Sequence, residues 1–331
     1  MTNTIETLYS LPSYEEMEKI VQEAYEDAKK KVPHGRVADY IPELSKANPE
    51  HLGICIYRLD GEKLFVGDTD VRFTIQSVSK VIALAMALEI FGPSKVFSKV
   101  GAEPSGEAFN SLVDLEQNSG KPYNPLINSG SLAIYSMLIN EVSFHDMLNF
   151  TKKLCTDKDI TLNETVFESE MKTCSRNKSI AYLLESKGII ESDVMDTLTL
   201  YTKMCSLNVT AETLANLGRV LASDGVCAKT GERYLSSKTV RIIKTLMLTC
   251  GMYDGSGTFA VKVGIPTKSG VGGGLLAVSD KRAGIGVYGP SLDKRGNSIA
   301  GCKLLEDISM KLRLNLFYDP EWDKEDEAVK L

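Results

Sequence analysis

The chain has 331 residues, 43% hydrophobic and 25% charged, an ordinary globular composition with enough apolar material for one large domain or two interleaved ones. A formal charge of -6 and a pI near 5.4, with basic residues scattered, argue against nucleic acid or an anionic membrane as the main partner, because both need a basic face. Seven cysteines with no C-x-x-C pair read as reduced thiols of a cytoplasmic protein, and His34, His51 and His145 fall in no metal-ligand spacing.

Residues 1–11 include Glu6 and no apolar run of export length, and no segment is expected to approach the ~20 apolar residues of a membrane span. Ser13 and Glu16 spell a capping box. Met17, Ile20, Val21, Ala24 and Ala28 follow at helical spacing, so an amphipathic helix is predicted to end before Pro33. Residues 53–58 and 63–67 read as two strands joined across Asp60-Gly61. An extended stretch, 71–75, leads into an apolar helix over 77–91, and further helices are predicted over 129–140, 144–154, 175–186, 191–206 and 210–223. Strands are expected at 257–263, 273–278 and 283–288, the last two flanking a Ser279-Asp280-Lys281 turn, before a closing helix over 298–315. This order predicts an α/β (α+β) fold, one antiparallel sheet covered by the terminal helices and carrying a large helical insertion. Residues 1–76 and 225–318 form the expected sheet portion and 77–224 the helical portion of a single catalytic unit. The acidic tail, 319–331, has little to bury and is expected to be mobile.

The chemistry starts at Ser77, three residues before Lys80. A serine hydroxyl needs a base within hydrogen-bond reach to act as a nucleophile at neutral pH. Residues three apart share a helical face, so a helix starting at Ser77 places the Lys80 amine beside the hydroxyl, where burial and the helix N-terminus disfavour the ammonium form. The same spacing recurs at Ser169–Lys172, Ser175–Lys178 and Ser291–Lys294, but only the Ser77 copy lies between a hairpin and a strongly apolar helix. Taken alone, Ser77 is more often an ordinary helix-start residue.

A second cluster lies towards the C-terminus, where Pro266-Thr267-Lys268-Ser269-Gly270-Val271-Gly272-Gly273-Gly274 joins a Lys-Ser-Gly triplet to glycines that let another backbone approach. With Ser77 and Lys80 it is similar to the S-x-x-K and K-T-G or K-S-G motifs of penicillin-recognising serine enzymes. Further motifs narrow the resemblance: Gly35-Arg36-Val37-Ala38-Asp39-Tyr40-Ile41-Pro42, Asn124-Pro125-Leu126-Ile127-Asn128-Ser129-Gly130, Ser169-Glu170 with Arg176-Asn177, and Gly251-Met252-Tyr253-Asp254-Gly255-Ser256-Gly257. Together these resemble the serine-dependent glutaminases, bacterial and mitochondrial, over nearly all of the chain from Pro12 to Tyr318. Ser129 and Ser131 stand where members of that family commonly carry alanine, a departure that touches the pocket wall and no catalytic atom.

The resemblance implies a serine β-lactamase or penicillin-binding-protein-like fold and hydrolysis of L-glutamine to L-glutamate and ammonia without metal or organic cofactor. It further implies Ser77 as nucleophile, Lys80 as general base, Tyr253 in proton transfer, and the backbone N–H groups of Ser77 and Val271 as the oxyanion site. Glu170 would pair with the α-ammonium, while Tyr40, Asn128, Asn177 and Tyr201 hydrogen-bond the carboxylate and amide. Lys268 is either structural or electrostatic. Singly, these are ordinary turn, cap or half-buried packing residues; the combination lifts them. A homodimer or homotetramer is the expected assembly. The rival readings are a penicillin-recognising hydrolase, for which neither an export signal nor an S-D-N or Y-x-N triplet is present, and a non-catalytic amino-acid sensor, which would have lost Ser77, Lys80 or Tyr253.

Overall fold

The computed structural model describes residues 11–106 and 120–318, so the expected acidic tail lies outside the described residues. Helix α1 (Tyr14–Lys29) begins where Ser13 accepts from the Glu16 N–H and the Glu16 carboxylate accepts from the Ser13 N–H, the expected capping box. Strands β1 (Gly53–Arg58) and β2 (Lys63–Gly67) pair with Ile56 opposite Leu64, and Gly61 takes the left-handed φ of +104° that their turn requires. After β3 (Phe73–Thr74) a 3₁₀ turn, Gln76–Val78, leads into α2 (Ser79–Lys99). The helical block continues through α3 (Asn128–Leu138), α4 (Phe144–Cys155), β4 (Thr161–Leu162), α5 (Glu164–Thr173), α6 (Ser175–Ser186), α7 (Val194–Cys205), β5 (Leu207–Val209) and α8 (Ala211–Ala222). The chain then forms α9 (Ser237–Cys250), a 3₁₀ turn at Tyr253–Gly255, α10 (Ser256–Lys262), β6 (Thr267–Ser269), β7 (Gly274–Ser279), β8 (Ala283–Tyr288) and α11 (Ile299–Lys311).

The main sheet runs β2-β1-β8-β7-β6 and is antiparallel throughout. Its central strands are buried on both faces, and the two-residue alternation of a strand assigns each face its own core. Ile54, Ile56, Leu275, Ala277, Ile285 and Val287 pack with Leu304, Leu305 and Ile308 of α11 and with Met17 and Val21 of α1. Cys55, Tyr57, Leu276, Val278 and Tyr288 face the other way, into the core of the helical block. A small sheet, β3-β5-β4, ties the approach to Ser77 to the helices.

Helix α8 lies directly on β8, and the glycines of the strand make this possible. A Cβ at Gly286 would sit 1.9 Å from the Ala211 carbonyl oxygen and 2.6 Å from the Ala215 nitrogen, both backbone atoms that cannot swing aside. Gly286→Ala is therefore expected to cost about 3 kcal/mol, the upper end of ordinary overpacking, read as a lower urea midpoint at unchanged slope. An unshifted midpoint would contradict this packing.

Several sequence expectations need correction. The stretch 257–263 is no strand: its residues up to Lys262 belong to α10 and Val263 caps it, Val261 is 84% exposed and no alternating buried face exists there, while Ser256, buried behind Tyr253, opens a helical turn. The edge strand of the C-terminal set is instead β6, the Lys268-Ser269 segment itself, too short and too polar to carry a period-two pattern. Helices α5 and α9 were not anticipated, although Asn163 and Ser236 cap them with side-chain hydrogen bonds. The predicted helix 77–91 begins as the 3₁₀ turn and runs on to Lys99 across a break at Gly92, where φ is +73°. By length and composition Gln76–Lys99 is apolar enough to cross a membrane, against the sequence expectation. In the fold, residues 79–88 are buried within the protein.

Candidate active site

Ser77 sits in the 3₁₀ turn between β3 and α2, held at its entrance by the Ile75 N–H donating to the Leu207 carbonyl at 2.9 Å. Gln76, just before it, adopts a φ of +47°, a conformation a long side chain keeps only when its surroundings fix it. One turn on, Lys80 Nζ lies 3.2 Å from Ser77 Oγ, as the spacing predicts, and both residues are buried, at 1% and 6% exposure. Burial brings the Lys80 ammonium down to about 8, although the Cys205 and Glu170 charges pull the other way. A substantial fraction of the amine is thus neutral near physiological pH. The other Ser-x-x-Lys copies build no such buried pair: Lys172 and Ser175 are exposed, and Ser291 donates to the Val32 carbonyl at 2.6 Å.

From Lys80 a polar chain runs into the helical block. Its Nζ donates to Asn128 Oδ1 at 2.6 Å, the Asn128 amide donates to Asn177 Oδ1 at 2.9 Å, and the Tyr201 hydroxyl reaches Asn128 Oδ1 at 3.4 Å. Asn128 is the first residue of α3, Asn177 lies in the first turn of α6, and Tyr201 on α7 is wedged edge-on against Tyr135, so three elements converge on one amide. Glu170, on α5, is buried at 6% exposure, and burial lifts its carboxyl to about 7 against the pull of a Gln76 hydrogen bond and the Lys80 charge. Its Oε2 has no hydrogen-bond partner among the described residues. A buried carboxylate oxygen left open favours a cationic ligand group.

The sheet supplies the opposite wall. Gly270 and Gly272 let the β6–β7 turn press against the backbone around Ser77: a Cβ at Gly270 would stand 3.4 Å from the Ser77 nitrogen, and one at Gly272 2.4 Å from the Thr74 oxygen. Val271 between them is thereby brought beside Ser77. Tyr253 is buried, and burial holds its phenol well above the usual range despite the lowering influence of the Ser77 and Ser269 hydroxyls and the Val271 N–H. Beneath its ring, 4.7 Å from the centroid, lies the Nζ of Lys268. That amine is fully buried, donates to the Ser269 carbonyl at 2.6 Å and the Gly251 carbonyl at 3.3 Å, and is driven well below its ordinary range by burial and by Lys80. Tyr40 stands at the rim, 54% exposed.

The structure thus gathers all the sequence-predicted residues: Ser77, Lys80, Asn128, Asn177 and Tyr201 in one hydrogen-bonded chain, Glu170 behind Gln76, Tyr253 from the 3₁₀ turn after α9, Val271 from the β6–β7 turn, and Tyr40 at the edge. Gln76 was missed by sequence reasoning. Its only distinguishing property is a backbone conformation that residue type does not announce.

The glutaminase family model matches residues 35–317. Among curated proteins, the chain is 50% identical to glutaminase 2 of Clostridium perfringens and 51% identical to a glutaminase of Fusobacterium nucleatum, each over 305 residues, 91% of this chain and 100% of the relative. Among solved structures, the probable glutaminase ybaS superposes with a TM-score of 0.89 at 38% identity, covering 93% of this chain and 100% of that one. A Bacillus subtilis glutaminase in covalent complex with 5-oxo-L-norleucine, formed by reaction with 6-diazo-5-oxo-L-norleucine, gives a TM-score of 0.83 at 35% identity, covering 91% of this chain and 99% of that one. On the family match and these identities, the chain belongs to the glutaminase family, with its β-lactamase-like fold.

Proposed function

We propose that this enzyme hydrolyses the side-chain amide of L-glutamine through an acyl-enzyme on Ser77. Ser77 Oγ attacks the amide carbon while its proton passes to the neutral Lys80 amine. The resulting oxyanion rests on the Ser77 and Val271 backbone N–H groups, and Tyr253 hands a proton to the departing nitrogen, which leaves as ammonia. The Lys80 ammonium then returns its proton to the Tyr253 phenolate, and the neutral amine takes a proton from the water that attacks the ester and passes it to Ser77 Oγ as glutamate leaves. The observation that carries this reading is the buried Ser77–Lys80 pair at 3.2 Å. Tyr40, Asn128, Asn177 and Tyr201 serve the carboxylate and amide of the substrate.

Glu170 decides between this reading and a penicillin-recognising hydrolase. An open carboxylate oxygen in the pocket suits an α-ammonium and repels a β-lactam carboxylate, so ammonia release from glutamine without cleavage of a chromogenic β-lactam is the expected outcome. Glu170→Gln is expected to raise the KM for glutamine with a smaller change in kcat, by the roughly 2 to 5 kcal/mol typical of losing one partner of a buried charge pair. Unchanged KM in that variant contradicts the pocket assignment. Two titrations shape the acid side of the pH profile. Glu170 gains its charge above about 7 and Lys80 loses its own above about 8, so kcat/KM should climb with pH through both. Glu170→Gln removes the lower step and leaves the upper one.

The seven free thiols, six of them buried, support a reducing, cytoplasmic setting for the enzyme, and the homodimer or homotetramer expected from the family is testable by sedimentation.

A further inference from the structure

Tyr253 has a φ of +55°, in the left-handed region that a bulky side chain keeps only where its surroundings over-determine it. Part of that constraint is internal to its own turn: Ser256 Oγ accepts from the Met252 N–H at 3.0 Å and donates to the Tyr253 carbonyl at 2.8 Å. The rest comes from a separate element, the loop 292–298 that precedes α11. This loop is closed on itself. Asp293 Oδ1 accepts from the Arg295 and Asn297 N–H groups at 2.8 and 3.0 Å, the Gly296 N–H donates to the Asp293 carbonyl at 3.1 Å, and Leu292 bridges to Ser298 and to Arg36.

The closed loop grips the Tyr253 turn on three sides. The Asn297 amide donates to the Met252 carbonyl at 3.4 Å, immediately before Tyr253. Arg295 Nε donates to Asp254 Oδ2 at 3.3 Å, immediately after it. Gly296 lies between, so close that a Cβ there would stand 3.6 Å from Tyr253 Cε2 and 3.3 Å from Val271 Cγ1. Asn297 is 4% exposed, so its amide is fixed by packing. None of these side chains belongs to the groups placed on the substrate.

We propose that the 292–298 loop, through Asn297 and Arg295, is a positioning element that holds the Tyr253 phenol against Ser77. The inference rests on the reading of Tyr253 as the proton-transfer group. Without the two anchors, the Met252–Tyr253–Asp254 backbone is free to relax towards an ordinary φ and carry the hydroxyl away from the reacting atoms. Glu170, Asn128 and Asn177 stand on other elements, so substrate affinity stays as it was while the chemical step slows.

The test is a set of double-mutant cycles. Asn297→Ala, Arg295→Gln and, as a control whose side chain makes none of these contacts, Lys294→Ala are assayed for kcat and KM in wild-type and Tyr253→Phe backgrounds, with circular dichroism melts reporting folding. Asn297→Ala is expected to lower kcat about 10- to 100-fold, the scale of a small misplacement of a catalytic group, with KM for glutamine essentially unchanged. Arg295→Gln, a partly exposed pair, should lower kcat less, and Lys294→Ala should leave it alone. In the Tyr253→Phe background neither Asn297→Ala nor Arg295→Gln should lower kcat further, because the group they position is already gone. Full kcat in Asn297→Ala, or the same fractional loss in both backgrounds, overturns the proposal. If Asn297→Ala does not fold, the Arg295→Gln cycle decides by the same criterion. A fully active Tyr253→Phe enzyme is a different failure, since it removes Tyr253 from the mechanism before the loop is tested.

Discussion

Ser77→Ala is expected to abolish turnover, with kcat falling by roughly 10⁴-fold or more, because removing the nucleophile leaves only binding and oxyanion stabilisation. The variant should fold normally. Ser77 is a small residue in a turn whose conformation is set by neighbouring backbone, namely the Ile75–Leu207 hydrogen bond and the glycine-lined approach of the β6–β7 turn. It should also bind glutamate as well as the wild type does, since the contacts proposed for Glu170, Asn128, Asn177 and Tyr40 do not need the hydroxyl. Loss of binding along with turnover would mean that Ser77 shapes the pocket and leaves its chemical role undecided, so affinity and rate have to be measured together.

Lys80 carries the second large effect. Lys80→Ala should lower kcat by ~10² to 10⁴-fold, the usual contribution of a general base. Lys80→Arg should not rescue it, because a guanidinium stays protonated and cannot take the serine proton. The pH profile separates chemistry from packing. The rise expected near 8 belongs to the Lys80 amine, which is depressed by burial, and it should vanish in Lys80→Ala, while the Glu170 rise persists but moves upward because the Lys80 charge that lowers it is gone. A folded Lys80→Arg enzyme with near-normal turnover would remove lysine from the mechanism.

The sequence made visible the parts of the molecule specified by local chemistry. The Ser13–Glu16 capping box, the Asp60-Gly61 hairpin and the three-residue step from Ser77 to Lys80 each depend on neighbours a few residues apart, and each is found as expected. What escaped is set by distant partners. Strand β6 is three residues, Thr-Lys-Ser, and it is a strand because β7 pairs with it and because the buried Lys268 amine finds two carbonyls. Residues 257–263 look β-rich in composition, yet α10 forms where Ser256 and the Tyr253 turn start a helix. Gln76 and Tyr253 gain their place in the site from positive φ angles imposed by surrounding elements, and only glycine advertises such a conformation in a sequence. The individual residues proposed to bind substrate were legible only through family resemblance, since an asparagine at a helix start or a half-buried tyrosine is common in any fold.

In the proposed mechanism Ser77 carries the glutamyl group during turnover. Acid-quenching the enzyme while it is consuming glutamine, followed by peptide mapping, tests this directly. A glutamyl ester is expected on the peptide containing Ser77, located at Ser77 and not at Ser79, with Ser169 and Ser269 unmodified and no adduct in Ser77→Ala. An adduct on any other residue, or full ammonia release from Ser77→Ala, would contradict the assignment of the nucleophile and the mechanism built on it.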